Sequence, residues 1–198
     1  MNFPHLPTVI LIVLLSTFLH AKEDLVSVKG VKFAYSTDNW IVAEVKIDPL
    51  KNPKGEKARN EDYLDNVKVI LTLAYQPKSE NLPDNHYDFY RSEVEIITMK
   101  TSAPKNIYFA LPGSISERDK LSKDPYAWMV EIEVDGQKVE PHKDHLSKKL
   151  QKNATSFIAK ANAGVSETED LLVPSYLAPN FVTAKLENQP EFKRKDAE

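Results

Sequence analysis

Apolar and polar side chains alternate along most of the chain from Leu25 to Pro141, which is the pattern of strands with one buried face. The clearest run is Tyr126–Asp135. Its apolar stripe is Trp128, Val130, Ile132 and Val134, and the opposite face carries acidic residues. Asp135 and Gly136 then form a pair typical of a hairpin turn. This region therefore predicts a β fold in which Trp128 heads a core stripe.

Five further segments alternate in the same way: residues 26–35, 41–47, 65–75, 87–99 and 107–111. Gly30 lies where the phase of the first segment changes, which predicts a β-bulge or a bend. Residues 65–75 are apolar on both faces, which predicts a central strand. Six strands at this spacing predict a mainly β protein, an immunoglobulin-like β-sandwich. A closed barrel is the alternative, because periodicity does not distinguish the two.

The period changes after Pro141. Apolar residues from Leu146 to Ala161 recur at steps of three and four, which predicts an amphipathic helix over residues 142–164 packed on the sandwich domain 22–141. The opposite, solvated face would carry Lys148, Lys149, Lys152 and Lys160.

The chain after the helix is apolar but broken by Pro174 and Pro179. Proline does not fit a central strand, so residues 165–186 predict an extended arm or an edge strand. Residues 187–198 are charged enough to predict a disordered tail.

The first 21 residues contain no Asp, Glu, Lys or Arg and enclose an apolar run from Val9 to Leu15. That run has the length of a signal-peptide core and is short for a membrane span, and Ala21 is a small residue at which cleavage can occur. Residues 1–21 therefore predict a signal peptide and export to the periplasm or the outer cell surface. A retained anchor is the alternative, and only then would the protein touch a membrane.

The charge and the cysteine content of the chain exclude several functional classes. The chain has 26 basic and 29 acidic residues, for a net charge of −3, so no strong positive field exists to bind nucleic acid. It has no cysteine, which excludes thiol catalysis and cysteine-ligated metals. An exported domain without disulfides favours a bacterial envelope protein stabilised by its core.

Motifs for catalysis, metals or cofactors are weak. His142 and His145 are spaced to be neighbours on a helix turn, but zinc needs further ligands, so they are weak candidates and no metal is predicted. The acidic residues from Glu56 to Asp65 lack calcium-loop spacing and alternate with basic ones. No Gly-x-Ser-x-Gly elbow and no cofactor motif is present.

The best candidates for a binding surface are the long loops 48–64 and 77–86 and the arm. Within the arm, Tyr176, Leu177 and Phe181 are the predicted partner-binding residues. We expect Tyr176 and Leu177 to pack internally and Phe181 to lie nearer the contact surface.

Several stretches resemble a known family. They are VEII (94–97), FALPG (109–113), PYAWMVE (125–131) with Asp135 and Gly136, a following helix, and YLAP (176–179). Together these resemble exported immunoglobulin-like proteins of verrucomicrobial bacteria such as Akkermansia, which are associated with type IV pilus-like gene clusters. The resemblance spans roughly residues 25–181. It implies a structural role with envelope or pilus-like proteins as partners, and it supplies no catalytic residue.

The sequence thus favours a non-enzymatic, exported structural or binding module of the bacterial cell envelope. The alternative is a carbohydrate-binding protein or metal-dependent enzyme that uses the loops at one end of the sandwich. Trp40 and Trp128 are predicted in strands, which argues against sugar binding by loop tryptophans. The oligomeric state is left open.

We expect the leader to be removed on export. Intact-mass spectrometry of the protein purified from its native envelope should find a mature N-terminus near Lys22. Recovery of the chain from the membrane fraction with Met1 still in place would contradict this and show an anchored protein.

Overall fold

The computed structural model describes residues 25–77, 86–151, 154–164, 168 and 170–193 of the 198-residue chain. The predicted leader 1–21, residues 78–85 of the second loop and residues 194–198 of the predicted tail lie outside the described residues. Within the described residues, no helix is long and apolar enough to cross a membrane.

Two antiparallel sheets make up the fold. The first contains β1 (Val26–Tyr35), β2 (Ile41–Pro49), β5 (Lys105–Leu111) and β8 (Val173–Pro174), in the order β1-β2-β5-β8. The second contains β3 (Tyr63–Tyr75), β4 (Asp88–Lys100), β6 (Ala127–Val134), β7 (Gln137–Lys138) and β9 (Phe192–Lys193), in the order β7-β6-β3-β4-β9. The helices are α1 (Gly113–Arg118), α2 (Ala154–Gly164) and α3 (Asn180–Thr183). The grouping of β1, β2 and β5 against β7, β6, β3 and β4 is that of an immunoglobulin-like sandwich, which confirms the predicted fold class.

The alternating stripes meet between the sheets. Val45 and Ile47 of β2 and Leu71 and Leu73 of β3 have no exposed surface. On the outer face of β3, Ile70 and Ala74 are also buried, so this strand is central and covered on both sides, as predicted.

Two local features follow the sequence signals. The register of β1 against β2 shifts between Val28 and Gly30, where Gly30 has a φ of 149°, which confirms the bulge. Asp135 and Gly136 both have positive φ values, 50° and 76°, as a tight turn between β6 and β7 requires.

The sequence predicts that Trp128 heads a core stripe, but other aromatic side chains form the centre of the core. Trp128 is only half-buried at the edge of the main cluster. The largest fully buried side chains are Tyr75, Tyr90 and Phe109. The Tyr75 and Tyr90 rings meet edge to face at 5.7 Å, and the Tyr90 hydroxyl donates a hydrogen bond to Asp119 at 3.0 Å. The two tyrosines therefore combine a ring contact with a hydrogen-bond partner, which for Tyr75 is the Lys123 carbonyl oxygen at 3.5 Å.

The helix predicted over residues 142–164 is shorter and begins later. Residues 143–145 form a single 3-10 turn, and Leu146 is extended because it forms a β-bridge with Met129 of β6. The helix α2 itself covers Ala154–Gly164 and buries Phe157 and Ala161 against the outer face of the second sheet. The apolar spacing identified the correct buried face, but the bridge at Leu146 prevents one continuous helix.

The two open sides of the sandwich are covered by chain beyond the predicted domain end at residue 141. On one side the 3-10 turn at Lys143–His145 lies against β1 and β6. On the other side β8 is an edge strand that pairs with β5, and β9 pairs with β4. The arm predicted over 165–186 thus contains an edge strand, a 3-10 turn and α3 rather than one extended segment.

The first part of the predicted disordered tail is ordered. Phe192 pairs with Ile96, its ring lies 5.5 Å from that of Tyr176, and Lys193 forms an ion pair with Glu95 at 3.1 Å. The local charge content of residues 187–198 does not predict these contacts, because the partners are distant in sequence.

Gly113 lies where the start of α1 meets the turn before β2. A Cβ atom at this position would lie 1.8 Å from the backbone oxygen of Asp38. Asp38 and Asn39 are both left-handed, with φ values of 53° and 58°, so this turn has little room to move. We expect Gly113→Ala to lower the free energy of unfolding by about 2 kcal/mol or more.

Chemical denaturation measures this effect, with Ser114→Ala on the exposed side of the same helix as the control. A Gly113→Ala midpoint equal to that of the control would contradict the close packing.

Candidate functional site

The apolar segment after β8 lies on the outer face of the first sheet. Val182 of α3 is buried there with Val42, Tyr108 and Ala110. Pro174 and Pro179 precede the 3-10 turn Ser175–Leu177 and α3 respectively, and both adopt the extended polyproline conformation. At these positions proline fixes the backbone without interrupting a helix.

The structure separates the three predicted partner-binding residues. Tyr176 packs inward against the main core and Phe192. Leu177 is 63% exposed and Phe181 is 50% exposed. The exposure of Leu177 differs from the expected internal packing. Because successive side chains of a 3-10 turn point about 120° apart, burial of Ser175 and inward packing of Tyr176 leave Leu177 facing solvent.

Trp40 joins this surface. Its ring meets Phe181 edge to face, with centroids 6.5 Å apart and an interplanar angle of 82°. We call Trp40, Leu177 and Phe181 the apolar surface of the protein. Trp40 is predicted in a strand but lies just before β2, and the sequence does not predict its contact with Phe181. The alternation of side chains could have indicated this position. Ile41 and Ala43 point inward, so Trp40 and Val42 share the outward face.

The apolar surface is suited to docking rather than to bond chemistry. Exposed Leu and Phe side chains each gain about 1.5 to 3 kcal/mol on full burial. Their backbone is already fixed, because Tyr176 and Val182 on the same segment are anchored in the protein. Binding of a partner here would therefore cost little conformational entropy in this segment, because the segment is already ordered.

The two histidine candidates do not converge. His142 is exposed, with Nδ1 3.2 Å from a carboxylate oxygen of Asp144, whereas His145 is buried. His86 lies elsewhere, 3.0 Å from Asp88. Among the described residues, no three His, Cys, Asp or Glu side chains come together in a way that could hold a metal ion.

The groups with shifted pKa values tie loops to strands. Hydrogen bonds from Arg118, together with one from the Tyr90 hydroxyl, lower the pKa of Asp119. Burial, reinforced by Asp119, raises the pKa of Tyr90. Burial likewise raises the pKa of Tyr75. These contacts fix α1 and the following loop to the core.

A second carboxylate has a similar structural role at the opposite end of the second sheet. Hydrogen bonds from Asn66 and Lys54, at 2.9 Å each, lower the pKa of Asp135. Lys54 belongs to the long loop 48–64, in which Asn52 is buried and donates to the Tyr63 carbonyl. This loop is therefore held in place at both Asn52 and Lys54.

The acidic residues of this loop show no cation-binding arrangement in the part of the chain that the structure describes. Glu56 and Glu61 line an open depression of 410 Å³ together with Arg59. The guanidinium contributes positive charge where a calcium site would need oxygen ligands.

Comparison with known proteins gives a likeness of fold. No protein family model matches the sequence, and no curated protein matches it. Among solved structures, the crystal structure of a protein from Akkermansia muciniphila superposes with a TM-score of 0.60. The two share 16% sequence identity over 88% of this chain and 95% of that one. At this identity the similarity shows a shared fold.

Proposed function

We propose that this protein is a non-enzymatic, exported structural module of a bacterial cell envelope, which docks on a partner protein of a pilus-like assembly. The observation that carries the proposal is the apolar surface, in which Leu177 and Phe181 are at least half exposed on a firmly anchored segment. Large apolar side chains held in this way are typical of protein contact sites.

The fold supports the same class of function. An immunoglobulin-like sandwich is a common scaffold for binding and assembly, although a fold by itself does not define a function. The fold likeness to the Akkermansia muciniphila protein is consistent with the resemblance of the sequence to exported immunoglobulin-like proteins of such bacteria. The signal peptide predicted for residues 1–21 supports export to the periplasm or the outer cell surface.

The kind of contact follows from the residues of the apolar surface. Trp40 and Phe181 provide two aromatic rings, and Leu177 provides an aliphatic side chain. Aromatic residues are enriched at the energetic centres of protein interfaces because they bury a large area with few rotatable bonds. We therefore assign the apolar surface to a partner with a complementary hydrophobic groove.

Site-specific photocrosslinking in the native host tests the proposal. A photoreactive phenylalanine analogue replaces Phe181 in the full chain, and a second variant carries it at Leu177. Both positions should crosslink to the same envelope protein, identified by mass spectrometry. Because both side chains are exposed, neither replacement should disturb the fold.

Tyr63 provides the matched control, since it is an exposed aromatic residue at the start of β3. We expect no crosslink to that envelope protein from position 63. Crosslinking that is equally efficient at all three positions, or absent at 177 and 181, would contradict docking through the apolar surface.

A further inference from the structure

A pocket of 320 Å³ lies where α2 packs on the outer face of the second sheet. Its walls include Tyr87 before β4, Tyr126 before β6, and Phe157 and Lys160 of α2; Lys149 lies on the turn before the helix. We call these five residues the tyrosine–lysine pocket. Its volume is at the lower end of the range of small-molecule sites.

Aromatic rings form the apolar part of the pocket. The Tyr87 and Tyr126 rings are 4.8 Å apart and tilted by 49°. Phe157 meets Phe89 of β4 edge to face at 5.4 Å, which fixes the floor. A hydrogen bond with Tyr126 raises the pKa of Tyr87, so the Tyr87 phenol stays neutral at physiological pH. The pocket thus offers several aromatic ring faces to a ligand.

The two lysines give the pocket a positive mouth. The ammonium of Lys149 lies 3.9 Å from the centroid of the Tyr126 ring. Among the described residues, no carboxylate lies within ion-pair distance of Lys149 or Lys160. A cation–π contact leaves the charge of the ammonium in place. Two positive charges therefore lie beside an aromatic cavity.

We propose that the tyrosine–lysine pocket binds a carboxylate that carries an aromatic or apolar group. The apolar group enters between Tyr126 and Phe157, and the carboxylate meets Lys149 and Lys160 at the mouth. The sequence predicts these lysines on the solvated face of the helix, whereas the structure brings both to one cavity. The carboxylate can belong to a free small molecule or to the C-terminus of a polypeptide, because the recognised chemistry is the same.

Ligand-observed NMR titration of the full chain tests the proposal with 4-phenylbutyrate and its uncharged amide. We expect saturable binding of the acid with a dissociation constant on the order of 1 mM, since the ligand is small. The amide should bind about tenfold more weakly because it lacks the charge. A short peptide ending in phenylalanine, compared with its amidated form, tests the second source of the same group.

Variants locate the site. Lys149→Gln and Lys160→Gln should each weaken phenylbutyrate binding about fivefold, by loss of one charge contact. Lys46→Gln, an exposed position on the other sheet, is the control and should bind like the parent. Thermal melting checks that all three variants fold.

Three results would overturn the assignment: no saturable binding of either the acid or the free peptide, equal binding of the acid and its amide, or unchanged affinity in both pocket variants. Binding of the peptide without the small acid would support the pocket and identify a polypeptide terminus as its ligand.

Discussion

Burial of one continuous stripe of side chains between the two sheets is the interaction on which the rest of this structure depends. The inward residues of β2 and β5 meet those of β3 and β6, and most are completely excluded from solvent. The chain has no cysteine, so no disulfide can supplement this contact. The buried stripe between the two sheets, here called the hydrophobic seam, must therefore exclude water as far as the edges of both sheets.

That requirement explains the chain beyond β7. The 3-10 turn near His145 covers one open side of the sandwich, and the segment from β8 to β9 covers the other. In the second segment Tyr176 and Val182 face the protein, which leaves Leu177 and Phe181 facing solvent. The same residues that seal the fold thus hold the apolar surface in position, so the proposed docking of a partner would depend on closure of the sandwich.

The sequence predicts features with a local cause. Alternation of apolar and polar residues predicts the strands, and the change in its phase within β1 predicts the bulge at Gly30. The Asp135–Gly136 pair predicts the hairpin turn. Features set by distant contacts are different in kind. The helix begins late because Leu146 pairs with Met129, and residues after 187 are ordered because Phe192 reaches Ile96 and Tyr176. The tyrosine–lysine pocket likewise combines residues that lie far apart in sequence, and no local pattern marks it.

Thermal unfolding of a chain that lacks residues 165–198 tests most directly whether the C-terminal segment completes the fold. Its removal takes away β8, α3 and β9, and it exposes Tyr108, Ala110 and the seam beside Phe109. We expect a protein that does not fold or that melts about 10 °C or more below the parent, because the deletion removes several kcal/mol of stability. A truncated protein that melts at the parent's temperature would show that the sandwich is complete without this segment, so the C-terminal segment would not be needed to close the fold.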